Sequence, residues 1–269
     1  MGSPGGNGGG GTIVTFRYKD GFDGAATYGW EQFGSVVEGL PGEAAGYSIS
    51  LDDTGLKMVV GFPMAKNLAG SSDAGKTAVY FMAAGTPGST TDEWKLSGEE
   101  IYGEAEGDMG GSSVAISADG NIIVIGSRGH SIVNSTTGEK INSVGHCQIY
   151  QFVSGGWNLQ HTIKGQAPDE RLGTSVAVSR DGTAAACGGV NGLNDDSTIS
   201  GVVRLWDRKT LQESIIWPRG RSGDDTEGVT FGESVALSGD GEYLLVGAPT
   251  WSTAGGGSAA GAIQMFRSV

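Results

Sequence analysis

The stretch Gly70-Ser-Ser-Asp-Ala-Gly75-Lys76-Thr77 fits the G-x4-G-K-[ST] pattern of a loop that wraps nucleotide phosphates. That chemistry needs a loop running from a strand into a helix, whose first amide groups and dipole hold the anion. Here Ala78-Val-Tyr-Phe81 follows, an apolar run whose preceding Gly75 is in register with recurring strand glycines elsewhere, which predicts a strand, so the match is read as chance. Gly6-x-Gly8-x-x-Gly11 fits a dinucleotide fingerprint but has no strand ahead of it. Gly173-Thr-Ser175 and Gly232-Glu-Ser234 have the spacing of a nucleophile elbow, yet both lead into one recurring strand. His130, His146 and His161 lack metal-ligand spacing, and the sequence holds no His–Cys cluster. With no nucleophile, base and orienting group in one pattern, the chain is read as non-enzymatic.

The remaining candidates are for binding. Asp119, Asp181 and Asp240 each stand just before a turn glycine, as Asp52 and Asp53 do near Gly55. Calcium takes six to eight oxygens from several carboxylates. One carboxylate per turn makes these weak Ca²⁺ candidates, and the turns are read as plain type I′ turns; no other cofactor is expected. Trp251, in a loop, is the aromatic chosen for ligand contact, with Asp195, Asp196 and His130 beside it as loop candidates. Acidic runs at Asp92-Glu93, Glu99-Glu100, Glu104, Glu106, Asp108 and Asp224-Asp225 are read as solvated loops and edges. The alternative is one acidic face that attracts a cation or a basic partner.

Thirty acidic against seventeen basic side chains give a net charge of −13, which argues against nucleic acid and anionic membranes as partners. No apolar run approaches the ~20 residues of a membrane-spanning helix, and the start lacks the basic and apolar parts of a signal peptide. Cys147 and Cys187 both fall in predicted strands. The plain reading is two buried free thiols, with a disulfide as the alternative. Asn134-Ser-Thr136 is a glycosylation sequon, meaningful if the protein is secreted.

What positions these residues is a repeat. Ser48-Ile-Ser-Leu-Asp-Asp-Thr-Gly55, Ser113-Val-Ala-Ile-Ser-Ala-Asp-Gly120, Ser175-Val-Ala-Val-Ser-Arg-Asp-Gly182 and Ser234-Val-Ala-Leu-Ser-Gly-Asp-Gly241 align without gaps. Each leads to a second apolar run closed by Gly61, Gly126, Gly188 or Gly247, which predicts a hairpin of strands A and B. The turn glycines are expected at positive φ. A glycine followed five residues on by an aromatic marks strand C, from Gly11, Gly75, Gly145, Gly201 and Gly261. Trp30, Trp94 and Trp157 open strand D, and their rings are expected to pack between units more than to stack on sugars; a fourth copy, 211–217, is irregular. The repeat length is about 55–70 residues, near that of a four-stranded propeller blade.

Phe231-Gly232 ahead of strand A and Gly247-Ala248-Pro249 after strand B resemble the two halves of the FG-GAP repeat of integrin-α type. Leu172-Gly173 with Gly188-Gly189, and Gly61-Phe-Pro63, are similar but degenerate. The resemblance implies an all-β, antiparallel β-propeller-like fold of four to five four-stranded blades, and an extracellular or cell-surface module. Such modules bind another protein or a glycan without catalysis. The expected organisation is a Gly-rich flexible tail, 1–11, then one propeller domain, 12–269, with units 12–74, 75–144, 145–200, 201–260 and a closing strand 261–269. Thr12-Ile-Val-Thr-Phe16 is expected in sheet contact with residues 233–266. A surplus C strand leaves two alternatives: a self-assembling homo-oligomer built through unpaired edges, or a piece of a longer array.

Overall fold

The computed structural model describes residues 1–5, 9–19, 29–83, 92–193, 198–219, 228–252 and 260–268, and every named element is a β-strand. An opening unit holds β1 (Gly2–Ser3), β2 (Thr12–Ile13), β3 (Phe16–Lys19), β4 (Gly29–Gln32) and β5 (Val37–Glu38). The next holds β6 (Ser48–Leu51), β7 (Lys57–Phe62), β8 (Lys76–Ala83), β9 (Glu93–Leu96) and β10 (Ile101–Tyr102). A third holds β11 (Ser113–Ile116), β12 (Ile122–Ser127), the short pair β13 (Ile132–Val133) and β14 (Lys140–Ile141), then β15 (His146–Val153) and β16 (Gly156–Lys164). A fourth is β17 (Ser175–Val178), β18 (Ala184–Gly189), β19 (Val202–Asp207) and β20 (Gln212–Ile216); the last is β21 (Ser234–Leu237), β22 (Tyr243–Ala248) and β23 (Ala262–Arg267).

All strand pairs are antiparallel, and each unit has its own main sheet, with β3-β4 and β13-β14 as separate two-stranded sheets in the opening and third units. The three middle units have the order A-B-C-D: β6-β7-β8 with β9 and β10 both on β8, β11-β12-β15-β16, and β17-β18-β19-β20. The opening sheet, β1-β2-β5, has B, C and D but no A. The last, β21-β22-β23, has A, B and C but no D. The irregular fourth D segment forms a regular strand, β20, against β19.

Alternation along each strand sends neighbouring side chains to opposite faces, so every middle sheet has an incoming and an outgoing face. The core is a series of layers between consecutive sheets. Ile13, Met58 and Val60 fill the first; Val59, Val114 and Ile123 the second. Cys147, Ile149 and Leu172 fill the third; Val203, Phe231 and Val246 the fourth. The A strands follow one another, β6 on β11, β11 on β17 and β17 on β21.

The junctions repeat atom for atom. The serine opening strand A donates Oγ–H to a glycine carbonyl of the next unit: Ser48 to Gly111 at 2.7 Å, Ser113 to Gly173 at 2.8 Å, Ser175 to Gly232 at 2.7 Å. Five residues on, Asp53 N–H donates to Ala118 O, Ala118 N–H to Arg180 O and Arg180 N–H to Gly239 O, at 3.2, 2.9 and 2.9 Å. The B-strand glycines are required by space. A Cβ on Gly61, Gly126 or Gly188 would lie 2.0, 2.3 or 2.1 Å from that same carbonyl oxygen of the next unit.

The A–B turns contain the expected positive-φ glycines, Gly55, Gly120, Gly182 and Gly241, at 68°, 66°, 69° and 74°. They are not type I′ turns, which need two left-handed residues, because no other turn residue has positive φ. Side chains close a longer loop instead. Ser117 Oγ donates to Asp119 Oδ1 and accepts from Ile122 N–H, while Asp119 Oδ1 accepts from Asn121 N–H.

Three other expectations give way. Gly2–Ser3, expected in a flexible tail, pair with Thr12–Ile13. Thr12–Ile13 pair with β1 and β5 rather than with residues 233–266, and β23 pairs only with β22 among the described residues, so it closes nothing. Cys147 and Cys187 are joined in a disulfide, Cα atoms 6.3 Å apart, between strand C of the third unit and strand B of the fourth. The stacking explains it. The same two positions share a buried layer at other junctions, Ile13 with Val60 and Val203 with Val246.

Candidate functional site

An acidic residue three before Gly46, Gly111 and Gly173 builds a polar site at one end of strand C; Val229 takes that place before Gly232. Glu43, Asp108 and Glu170 each accept backbone N–H groups of their own loop: Leu40 N for Glu43, Glu104 and Ala105 N for Asp108, Gln166 and Ala167 N for Glu170. Glu43 and Glu170 also face a basic side chain. Lys76 Nζ lies 3.0 Å from Glu43 and 3.2 Å from Glu100, and Arg204 Nε lies 3.0 Å from the buried Glu170. A buried ion pair of this kind costs desolvation, which the added hydrogen bonds offset. Lys76 is therefore held by carboxylates and packed over the Phe62 ring, at the head of a strand, which removes the phosphate-loop reading of Gly70–Thr77.

In the third unit the cation is replaced by histidines. His130 Nδ1 lies 3.2 Å from Asp108 Oδ2 without hydrogen-bond alignment, and the His130 and His146 ring centroids are 4.1 Å apart with their planes tilted by 37°. Burial, reinforced by His130 and Lys164, pulls the His146 pKa down to about 3 against the opposing pull of Asp108. His146 is thus neutral at physiological pH. The nearby phenol of Tyr150 is pushed up to about 12 by burial and by Glu104.

The other candidates are placed as follows. Trp251 is 3% exposed, inside the layer with Phe231 and Phe266, so its ring faces core rather than ligand. Asp195, Asp196, Asp224 and Asp225 lie outside the described residues. Asp181 and Asp240 close their turns as Asp119 does, accepting from Ser179 and Ser238 hydroxyls. Burial pushes the Asp181 pKa up, but hydrogen bonds from Thr183 and Ser179 outweigh it and hold it at about 2. Among the described residues, no three His, Cys, Asp or Glu side chains gather as a metal site. Of the D-strand tryptophans, Trp94 Nε1 bonds Thr15 Oγ1 and Trp157 Nε1 bonds Ser97 O, each in the preceding unit.

Trp30 does otherwise: it is 71% exposed and lines an apolar groove of ≈ 530 Å³ with Ile13, Phe16, Ile49, Leu51 and Met58. The groove lies where the opening unit lacks strand A. Ile49 and Leu51 on β6 are 41% and 54% exposed, whereas Val114 and Ile116, at the same positions of β11, are 9% and 7% exposed under β6. The sequence carried a signal for it: the first Ser-Ile-Ser-Leu segment has no A strand before it. In comparisons with known proteins, no family model and no curated protein matches this chain.

Proposed function

We propose that the chain is a non-catalytic binding module of β-propeller-like, FG-GAP-type architecture, and that it binds an extended strand of a partner polypeptide in the groove of its first two units. The observation that carries this reading is the exposure of Ile49 and Leu51 on a strand whose counterparts are covered. An exposed apolar groove beside an unpaired strand edge is the feature that strand addition uses: the backbone supplies affinity and alternate side chains fill the apolar sites. The edge here is β1, which among the described residues pairs only with β2. The four-times-repeated Ser-x-x-x-Ser/Asp run and its glycines support the FG-GAP-type architecture, and the disulfide supports an oxidising compartment outside the cytosol.

The fitting ligand is a β-branched, small-residue strand like the chain's own A strands. A synthetic peptide spanning residues 233–248 is the probe, titrated while Trp30 emission is read by difference from a Trp30→Phe protein. Saturable change that is lost in Ile49→Asp supports the groove. No change at any peptide concentration, or a change that survives Ile49→Asp, contradicts it.

A further inference from the structure

We infer that the groove is filled by the last unit of a second copy of this chain, joining copies head to tail; this rests on the groove reading above. The last unit carries every donor-side group of a junction with nothing to receive it. Ser234 is exposed and its Oγ has no partner among the described residues, where Ser48, Ser113 and Ser175 each have the next unit's carbonyl. Gly239 N–H has no following carbonyl, although Asp53, Ala118 and Arg180 each have one. A Cβ on Gly247 would meet the Ser234 side chain but no backbone of a next unit. The outgoing face of this sheet exposes Tyr243, Leu245, Ile263 and Met265, the positions that bury the junction at other units; Ile263 is 73% exposed.

The second unit carries the matching acceptor side. Gly46 holds the place of Gly111, Gly173 and Gly232, its N–H bonded to Gly61 O as theirs are to Gly126, Gly188 and Gly247 O. In front of it stand the short strands β1 and β2, with Gly2 against the Gly46 carbonyl and the Ile13 side chain beside Gly46. The opening sheet and the last sheet are overlapping parts of one unit, B-C-D and A-B-C. Exchange lets β21, β22 and β23 of one copy take the place of β1 and β2, supplies the missing A strand, and leaves β5 as strand D beside β23. Ladders of four and six residue pairs then replace ladders of two. Among the described residues, no hydrogen bond, ion pair or core layer joins the two ends within one chain. The contact is heterologous, so it propagates rather than stopping at a two-fold dimer.

The native disulfide supplies the ruler. Cys147 and Cys187 stand at junction positions whose equivalents here are Ile263 of one copy and Val60 of the next. Chains carrying Val60→Cys mixed with chains carrying Ile263→Cys should form, under mild oxidation, a linked dimer mapping to 60–263 that neither variant forms alone. In sedimentation, the unmodified chain should grow with concentration and with added salt, which screens its like charge, while Ile263→Asp stays monomeric. An internal 60–263 link in the double variant at monomer size would mean that the chain closes on itself and would overturn the second copy as occupant. A linked dimer from Ile263→Cys alone, or an unmodified chain that stays monomeric throughout, would overturn it too. Peptide 233–248 binding to such a monomer would leave the groove reading standing; failure of both would remove both.

Discussion

At the scale of single residues, His146 links the polar site to stability. Its pKa, about 3 in the folded chain, lies far below the ordinary 6.5, so between those values the unfolded chain binds more protons. Stability from keeping this ring neutral is complete above pH 6.5 and is lost progressively as pH falls toward 3. At about 1.4 kcal/mol per pH unit at most, the loss from pH 6.5 to 4.5 is on the order of 2 kcal/mol. Thermal melts across this range should show His146→Gln with a clearly flatter decline than the parent, and equal slopes would contradict the assignment. Asp108, read from the sequence as part of a solvated acidic run, is instead buried, as is Glu170, because loop amides and a neighbouring side chain satisfy each carboxylate. The partners of Glu43, Glu170 and Asp108 were not legible, because Lys76 begins strand C, Arg204 sits two residues further in and His130 lies on a loop. Trp251 misled for a related reason: its loop position is plain in the sequence, but the packing that buries it against Phe231 and Phe266 comes from a neighbouring strand and loop.

Elements are where the sequence was most informative. The Ser-to-Gly spacing placed strands A and B and the four positive-φ glycines, because hairpin register is a local property. Turn type escaped, since it depends on whether Ser117, Ser179 and Ser238 spend their hydroxyls on the loop. The disulfide escaped as well. Cys147 and Cys187 belong to different sheets, and only the stacking of sheet on sheet brings positions 40 apart into contact. Closing a loop of that length is worth roughly 4 kcal/mol in the chain-entropy treatment. Cys147→Val with Cys187→Val reproduces the valine pair of the Val203–Val246 junction and removes the link. That variant should lose on the order of 3–4 kcal/mol in denaturant unfolding, and it should be insensitive to reductant while the parent is weakened by it. A parent whose midpoint is unmoved by full reduction would contradict a structural role for the bond.

For the whole molecule, the repeat count was legible but closure was not. Both ends carry a strand C, and pairing at the ends is decided by which partial sheet reaches the other rather than by any local pattern. Among the described residues, no strand pairing joins the opening sheet to the last one. The central claim is the serial junction, and the amide ladder near the A–B turns reports on it directly. Hydrogen exchange followed by NMR in dilute protein should show the amides of Asp53, Ala118 and Arg180 protected, since each is bonded to the next unit, and the amide of Gly239 exchanging freely. As concentration rises and copies join, Gly239 should become protected with the rest. Protection of Gly239 equal to that of Arg180 in the dilute monomer would show a closed ring, and free exchange at Ala118 and Arg180 would contradict the junction itself.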